Sequence, residues 1–274
     1  IPLMNTFRDN QDYEADMFVN NHEAKEIMDD NTLLVVVDTN KPSITQCEDL
    51  LYMAKMIVVL DHHRQGSDTI RNSVLSYIEP YASSASEMVA EILQYFTEGI
   101  RIRNVEADSI YAGIMIDTDN FMQKTGVRTF EAAAFLRRCG ADVTRVRKLF
   151  REDMNDYKAR GETIRNAELF RGQFAISECP SDYVDSPTVV GAQAANELLN
   201  IVGVKASFVL TEYKGVIYIS ARAIDEVNVQ IIMERMGGGG HLNMAGCQLE
   251  TVNMEGARNL LKSTLTEMQD GGEI

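Results

Sequence analysis

Three apolar stretches of the sequence each end at residues that can bind a metal ion. These residues are Asp38 after the first stretch, Asp61, His62 and His63 after the second, and Asp117 after the third. If the stretches are strands of a parallel sheet, their carboxyl ends meet at one edge, where ligands bind. Carboxylates with an imidazole suit Mn²⁺ or Mg²⁺ better than a thiolate zinc site. The pattern therefore predicts a divalent-metal site that could activate water and hold a phosphoryl group.

Each of these residues also has a structural interpretation. A lone aspartate after a strand is often a turn residue or a helix N-cap. Adjacent histidines are often a surface pair or a hydrogen-bonded pair in the core. Three stretches that all end in potential ligands favour the metal site, but the residues alone leave both interpretations open.

Four consecutive glycines, residues 237–240, precede His241. Such a run costs backbone entropy, so it is expected where the backbone approaches a ligand or adopts positive φ. If the loop runs into a helix, its N–H groups could bind phosphate oxygens, and His241 could donate a further hydrogen bond. The alternative is a flexible linker, although the residues that follow are largely apolar.

An arginine near the end of a predicted strand is a second candidate for anion binding. Arg222 follows Ser220 on that strand, and Asn228 lies shortly after. In an acidic protein, a guanidinium group there could grip a phosphate with two hydrogen bonds. The alternative for Arg222 alone is a surface ion pair.

Composition limits the function further. The 274 residues are 45% hydrophobic, and 26 Lys and Arg against 41 Asp and Glu give a formal charge of −15. This excludes a uniformly basic surface that coats duplex nucleic acid, and an anionic substrate would need a local positive centre. Four scattered cysteines predict reduced thiols in the cytosol. No apolar stretch approaches the roughly 20 residues of a membrane span, so we expect no membrane contact by this chain.

The predicted fold is α/β in two domains. The first two apolar stretches, separated by a helix over 43–55 with Ser43 as its N-cap, form a βαβ unit. Shorter alternating strands later in the chain predict a mixed sheet. The predicted segments are the strands 32–37, 56–60 and 108–116 and the helices 84–96 and 129–139 in the first half, and the strands 174–177, 206–211 and 216–220 and the helices 189–199, 229–236 and 254–268 in the second.

The motifs together resemble the DHH phosphoesterase superfamily. Asp61-His62-His63 after an apolar strand resembles its signature, and the glycine run with His241 resembles the hallmark of its DHH-associated C-terminal domain. Segments 37–42, 78–84, 111–121 and 237–242 are similar to the catalytic modules of GdpP-type cyclic-di-AMP phosphodiesterases. The resemblance implies a DHH domain with a mostly parallel sheet flanked by helices and a smaller α+β domain with a mixed sheet. The expected boundaries are 1–158, a linker at 159–171, and 172–274.

The resemblance also implies roles for individual residues. Two Mn²⁺ ions, or Mg²⁺ or Co²⁺, would be bridged by Asp38, and His62 and Asp117 would complete the second metal's shell. Asp61 would orient a neighbouring group, and His63 would face the substrate phosphate. In the cleft expected between the domains, the second domain would hold the phosphate or nucleotide. Its candidate residues are Gly239, Gly240, His241 and Arg222, with Ser220 and Asn228 as weaker candidates.

One feature of the family has no match in the sequence. Its first metal motif, a histidine with two aspartates, should lie well upstream of Asp38, where the only histidine is His22 in a different context. Two explanations compete, a chain that has lost its first βα units and a degenerate homologue. The start at Ile1-Pro2, without Met, favours the truncated chain.

The expected reaction is metal-dependent hydrolysis of cyclic-di-AMP to linear pApA. The alternatives are a phosphodiesterase acting on pApA or oligoribonucleotides, and a degenerate module that binds nucleotides without cleaving them. RecJ-type exonucleases and family II pyrophosphatases fit less well. The resemblance further implies a homodimer and a cytoplasmic chain that is the cytoplasmic part of a membrane-anchored protein.

Overall fold

The computed structural model describes residues 2–14, 16–96, 99–224 and 227–274. The chain divides into two compact units, residues 1–151 and 152–274. Each unit has its own sheet and its own hydrophobic core. Among the described residues, no helix has both the length and the apolar character needed to cross a bilayer.

The first unit combines a parallel sheet with helices. The sheet has the order β1-β2-β3. Its strands are β1 (Leu33–Val37), β2 (Met56–Asp61) and β3 (Leu75–Ile78), and its helices are α1 (Pro2–Arg8), α2 (Asn21–Ile27), α3 (Asp49–Met53), α4 (Ala85–Tyr95), α5 (Asn104–Asp117), α6 (Val127–Arg138) and α7 (Val143–Leu149).

The predicted parallel pairing of β1 with β2 is confirmed. β2 lies between two strands, so Ile57 and Val59 are fully buried, as an apolar run in a parallel sheet predicts. The single helix predicted over 43–55 is wrong. Pro42 opens a short 3-10 turn that ends at Thr45, whose backbone is extended (ψ 147°), and a helix cannot pass through that conformation.

The third predicted strand, 108–116, is also wrong, because these residues lie inside α5. α5 packs against α4, α6 and α7, so apolar residues are needed on most of its surface. Ala107, Tyr111 and Ile114 are buried on it. A helix that is apolar nearly all round loses the 3.6-residue period that distinguishes it from a buried strand. Asp117 is therefore the last residue of a helix and does not follow a strand.

The second unit contains a mixed sheet with the order β4-β5-β6-β7-β9-β8. β5 and β6 are parallel, and the other neighbouring pairs are antiparallel, which confirms the predicted mixed sheet. Its strands are β4 (Glu168–Phe170), β5 (Phe174–Cys179), β6 (Ala206–Tyr213), β7 (Val216–Ala223), β8 (Gly239–His241) and β9 (Met244–Leu249), and its helices are α8 (Met154–Arg165), α9 (Pro187–Leu198), α10 (Val229–Arg235) and α11 (Met254–Asp270).

The two faces of β7 have different surroundings. Ile217, Ile219 and Ala221 point into the core that contains α10 and α11. The alternate residues Tyr218 and Ser220 are only partly buried and lie on the opposite face. This second face of β7, which is partly covered, carries the polar side chains of the strand.

The glycine run was expected to lead into a helix, but in the structure it leads into a strand. It follows α10, and its last two residues belong to β8. A Cβ atom on Gly238 would lie 2.1 Å from the carbonyl oxygen of Gly246, and one on Gly240 would lie 2.4 Å from the Cα of Ala245. At these two positions, the close approach to β9 requires glycine.

The residues predicted as a linker, 159–171, are largely structured. They lie in α8 and β4, and α8 packs against α9 and β5 within the second unit. The units separate between Arg151 and Glu152, seven residues before the end of the predicted first domain.

Candidate active site

Asp38 occupies the residue directly after β1 in a constrained backbone conformation. Its φ is 65°, in the left-handed region, which aspartate tolerates better than most residues. Its N–H donates to the carbonyl oxygen of Leu60 at 3.0 Å, so the turn remains attached to β2. This hydrogen bond fixes the backbone of Asp38, from which its side chain extends, at the edge of the sheet.

His62 lies beside Asp38, one residue beyond β2. Its Nε2 is 3.3 Å from Oδ1 of Asp38 and 3.9 Å from Oδ2 of Asp117. Ligand atoms of Asp38, His62 and His63 all lie within 4.8 Å of one another, and in the part of the chain that the structure describes no other three such side chains meet this criterion. The sequence-predicted residues thus converge, and His63 joins them as a potential ligand.

Asp61 is fully buried at the end of β2 and holds His63 in place. Its Oδ1 accepts a hydrogen bond from the backbone N–H of His63 at 3.2 Å and lies 2.7 Å from the ring Nδ1 of the same residue. A carboxylate has no proton to donate, so Nδ1 carries the hydrogen and Nε2 of His63 is left as the free nitrogen.

Asn40 is a functional candidate that was not predicted from the sequence. It is buried, and its Nδ2 donates to Oδ2 of Asp61 at 2.5 Å and to the carbonyl oxygen of His63 at 3.3 Å. Its own Oδ1 is buried and accepts no hydrogen bond from another described residue. The sequence carries no signal of this role, because it depends on contact with Asp61, 21 residues further along the chain.

Asp117 approaches the cluster from the end of α5. Burial raises the pKa of its carboxyl group, the charge of Asp38 raises it further, and His62 lowers it. Beyond Thr118, which caps the helix, the residues Asp119, Asn120 and Phe121 all have positive φ. Phe121 packs on Tyr111 and so holds this unusual turn against α5.

The donor set fits a hard divalent cation. The side chains of Asp38 and Asp117 offer carboxylate oxygens, and His62 and His63 offer imidazole nitrogens. No cysteine belongs to the cluster, so it is a potential divalent-metal site built from carboxylate and imidazole ligands without thiolates. His22, the upstream histidine, is exposed on α2 beside Glu26 and does not belong to this cluster.

The second unit brings other predicted residues together in rows across its sheet. Residues opposite each other in antiparallel strands share a face. Arg222 on β7 lies opposite Met244 on β9, which lies opposite His241 on β8, and we call these three the arginine row. Two residues further along, Ser220, Gly246 and Gly239 form the glycine row. Arg222, His241, Ser220 and Gly239 therefore lie on one face, as anion binding requires.

Arg222 carries a partly desolvated charge. Burial lowers its pKa from the ordinary value, Nε is buried without a hydrogen-bond acceptor, and Nη1 donates only to the carbonyl oxygen of Ala221. No carboxylate among the described residues pairs with it. A buried guanidinium without an acidic partner favours an anionic ligand.

Two other predicted binding residues have structural roles. The side chain of Asn228 caps α10 by accepting a hydrogen bond from the N–H of Gln230 at 3.0 Å. Gly240 has a φ of 151° and packs against β9. Only Gly239 of the two β8 glycines has open space where a side chain would lie.

The folds and motifs match two known domain families. Residues 3–114 match the N-terminal domain of the DHH family, and residues 173–267 match the DHHA1 domain. The chain therefore belongs to the DHH family of phosphoesterases and carries a DHHA1 domain.

Its similar curated relatives are longer proteins. The cyclic-di-AMP phosphodiesterase GdpP of Bacillus subtilis is 43% identical over 93% of this chain, and PdeA of Listeria monocytogenes, with the same named activity, is 41% identical over 88%. The chain spans 39% and 37% of their respective lengths. An exopolyphosphatase-related protein from Bacteroides fragilis shares the fold, with a TM-score of 0.79, 21% identity and coverage of 91% of this chain and 75% of that one.

Proposed function

We propose that this chain is the catalytic part of a metal-dependent phosphodiesterase that hydrolyses cyclic-di-AMP to linear pApA. The observation that carries the proposal is the convergence of Asp38, His62 and Asp117 on one side of the first unit. The named activity of the GdpP and PdeA relatives supports the choice of substrate.

In this proposal Asp38, His62 and Asp117 would hold divalent ions such as Mn²⁺, with Asp38 as a ligand shared by two ions and His62 and Asp117 as further ligands of one. Bound divalent ions would supply positive charge to the phosphoryl oxygens and lower the pKa of an attacking water. Mg²⁺ or Co²⁺ could take the same ligands. Asp61 and Asn40 would position His63, because Asp61 binds its backbone N–H and its ring and Asn40 binds Asp61 and the carbonyl oxygen of His63.

The reaction would consume one water for each phosphodiester that is opened. The water oxygen bonds to phosphorus, the bond from phosphorus to the 3′ oxygen breaks, and the 3′ oxygen gains a proton. His63 would face this phosphate, with Nε2 as the nitrogen that can exchange a proton with it, because Nδ1 is held by Asp61. Product pApA would retain the second phosphodiester.

The second unit would bind the anionic substrate. Arg222 would neutralise a phosphate, His241 and Ser220 would donate hydrogen bonds, and the open backbone at Gly239 would allow close approach. Asn228 and Gly240 would contribute indirectly, since they shape α10 and β8. The protein is strongly acidic, so these local positive groups are needed for an anion to bind at all.

The test is an incubation with cyclic-di-AMP and Mn²⁺, followed by chromatography of the products. Formation of pApA that stops when a chelator is added would support the proposal. Accumulation of AMP would support action on pApA as well. A folded sample that makes neither product would contradict it and would favour a nucleotide-binding module.

The expected homodimer and cytoplasmic location stay predictions. Light scattering of the purified chain over a range of concentrations would test the first. For the second, fractionation of cells that express the full-length protein, with protease access from each side of the membrane, would show where this segment lies.

A further inference from the structure

A cavity of about 560 Å³ opens on the sheet of the second unit, next to the glycine row. Tyr218, Gln248 and Thr188 line it, together with Ser220 and the backbone of the glycine run. None of these four side chains forms a hydrogen bond with another described residue. Groups that are free to bind a ligand therefore surround the cavity.

The register of the sheet fixes how these groups are arranged. Tyr218 on β7 lies directly opposite Gln248 on β9, two residues from the glycine row and four from Arg222. At about 3.4 Å per residue, Tyr218 and Arg222 are roughly 14 Å apart along the strand. A nucleotide, with its base at one end and its phosphate at the other, has comparable length.

The glycine row leaves bare backbone between the two ends. Gly246 and Gly239 lie side by side on β9 and β8, and a Cβ atom at Gly239 would meet nothing within 4 Å. A sugar could lie over this backbone without meeting a side chain, while Ser220 offers a hydroxyl at the end of the row. The groove thus has an aromatic and amide end, a bare centre and a cationic end.

We propose that Tyr218 and Gln248 form a nucleobase subsite with a preference for adenine. This inference rests on the proposed function, because it assigns the base of the same nucleotide substrate. A tyrosine ring offers a stacking surface for a base, and the Gln248 amide can donate to N7 and accept from the N6 amino group of adenine. The phosphate of that nucleotide lies toward Arg222.

The direct test measures binding without turnover, in chelator, with AMP, GMP and ribose 5-phosphate as ligands. Calorimetry on the wild-type chain should show AMP binding roughly tenfold or more tighter than ribose 5-phosphate, the difference being the contribution of base stacking. Equal affinities for AMP and ribose 5-phosphate, or no binding of AMP, would overturn the subsite.

Matched variants separate the base from the phosphate. Tyr218→Ala should lower AMP affinity to the level of ribose 5-phosphate, whereas Tyr218→Phe should retain it. Gln248→Leu should abolish the preference for AMP over GMP. Tyr183, an exposed tyrosine elsewhere in the unit, provides a control. Tyr183→Ala should leave the affinities for AMP and for ribose 5-phosphate unchanged. If Tyr218→Ala binds AMP as the wild type does, while circular dichroism shows both to be folded, the proposal is overturned.

A second variant tests the groove itself. Gly239→Ala has room in the fold, so it should keep the thermal midpoint while its methyl group weakens both AMP and ribose 5-phosphate binding by several-fold. Unchanged affinity would contradict the placement of the sugar over the glycine row.

Failure of the subsite and failure of the proposed function give different results. If base-dependent AMP binding is seen but Mn²⁺ produces no pApA, the subsite stands and the phosphodiesterase proposal fails. If pApA forms and Tyr218→Ala leaves the KM for cyclic-di-AMP unchanged, the function stands and the subsite fails.

Discussion

The Asp61 carboxylate and the His63 ring are locked together at 2.7 Å, with the carboxylate fully buried and the ring half exposed. Asp61 is itself held by a hydrogen bond from the side chain of the buried Asn40. A buried carboxylate that receives several hydrogen bonds can fix both the orientation and the tautomer of a histidine. The tautomer of His63 is therefore fixed, and Nε2 is its nitrogen that is left free of Asp61.

Removal of the buried amide should loosen this arrangement. In Asn40→Ala, Asp61 keeps its bonds to His63 but loses a buried donor, which should lower the free energy of unfolding by about 1–3 kcal/mol. Urea denaturation measures this change. Thr39→Ala, which removes only an exposed hydroxyl that accepts from Lys41, is the control and should cost far less. Equal stability of the two variants would show that Asn40 does not support Asp61.

The side chain of Arg222 should strengthen binding of an anionic ligand while contributing nothing to, or lowering, the thermal stability of the protein. In Arg222→Met, a partly buried charge without a carboxylate partner is replaced by an apolar chain of similar length. We expect the thermal midpoint to stay the same or to rise, while affinity for pApA falls at least tenfold because the phosphate loses its cation. Thermal unfolding and calorimetry on the same samples check both effects.

Arg171 offers a matched control in the same unit. It is paired with Asp270 at 2.6 Å, so Arg171→Met should leave pApA affinity unchanged. A large loss of stability in Arg222→Met, or unchanged binding, would mean that the guanidinium has a structural partner and no ligand role.

The glycines of the run should differ sharply in their tolerance of a methyl group. Gly240→Ala forces an alanine into a φ of 151° and against Ala245, so it should lower stability by more than about 1 kcal/mol. Gly238→Ala meets the backbone of Gly246 and should behave similarly. Gly239→Ala should be close to the wild type. Thermal unfolding of the three variants ranks them, and equal losses would contradict the described geometry of β8.

Thiol reactivity in the second unit should be suppressed until the solution is strongly alkaline. Burial raises the pKa of the Cys247 thiol from 9.0 to about 11. Since the thiolate is the reactive form, alkylation of Cys247 at pH 8 should be at least about 100-fold slower in the folded protein than in urea. Mass spectrometry of iodoacetamide-treated samples from pH 7 to 10 measures these rates.

The same shift has a consequence for stability. A thiol whose pKa is raised by folding favours the folded state fully below its unfolded pKa, near 9, and this contribution disappears as the pH rises toward about 11. The wild-type chain should therefore lose more stability than Cys247→Ala over this range. Rapid alkylation of native Cys247 at pH 8 would show that the thiol is not buried as described.

Elements of the fold could be predicted from the sequence where a residue pattern is typical of one kind of secondary structure. The apolar runs that became β1 and β2, and the acidic and histidine residues that follow them, were predictable because strands of a parallel sheet are usually apolar throughout. The prediction of burial on both faces holds for the central strand β2, but β1 is an edge strand on which Leu33, Val35 and Val37 are about half exposed. These features place Asp38 and His62 without reference to the rest of the fold.

What could not be predicted depended on distant packing. The segment before Asp117 looked like a strand because α5 is surrounded by other helices, and only the tertiary structure decides between the two. The role of Asn40 depends on its hydrogen bond to Asp61, 21 residues away, and an asparagine in the sequence gives no sign of that contact. The nucleobase subsite depends on the register between β7 and β9, which pairs Tyr218 with Gln248 and is invisible in the separate strands.

The most direct test of the account is the Mn²⁺-dependent rate of cyclic-di-AMP cleavage by Asp38→Asn. This change keeps the size of the side chain but removes the charge that is proposed to bridge the metals, so the rate should fall at least about 100-fold. Asp30→Asn, at an exposed aspartate paired with Lys55, should retain the wild-type rate. If Asp38→Asn cleaves cyclic-di-AMP as fast as the wild type at every Mn²⁺ concentration, the cluster of Asp38, His62 and Asp117 is not the catalytic centre.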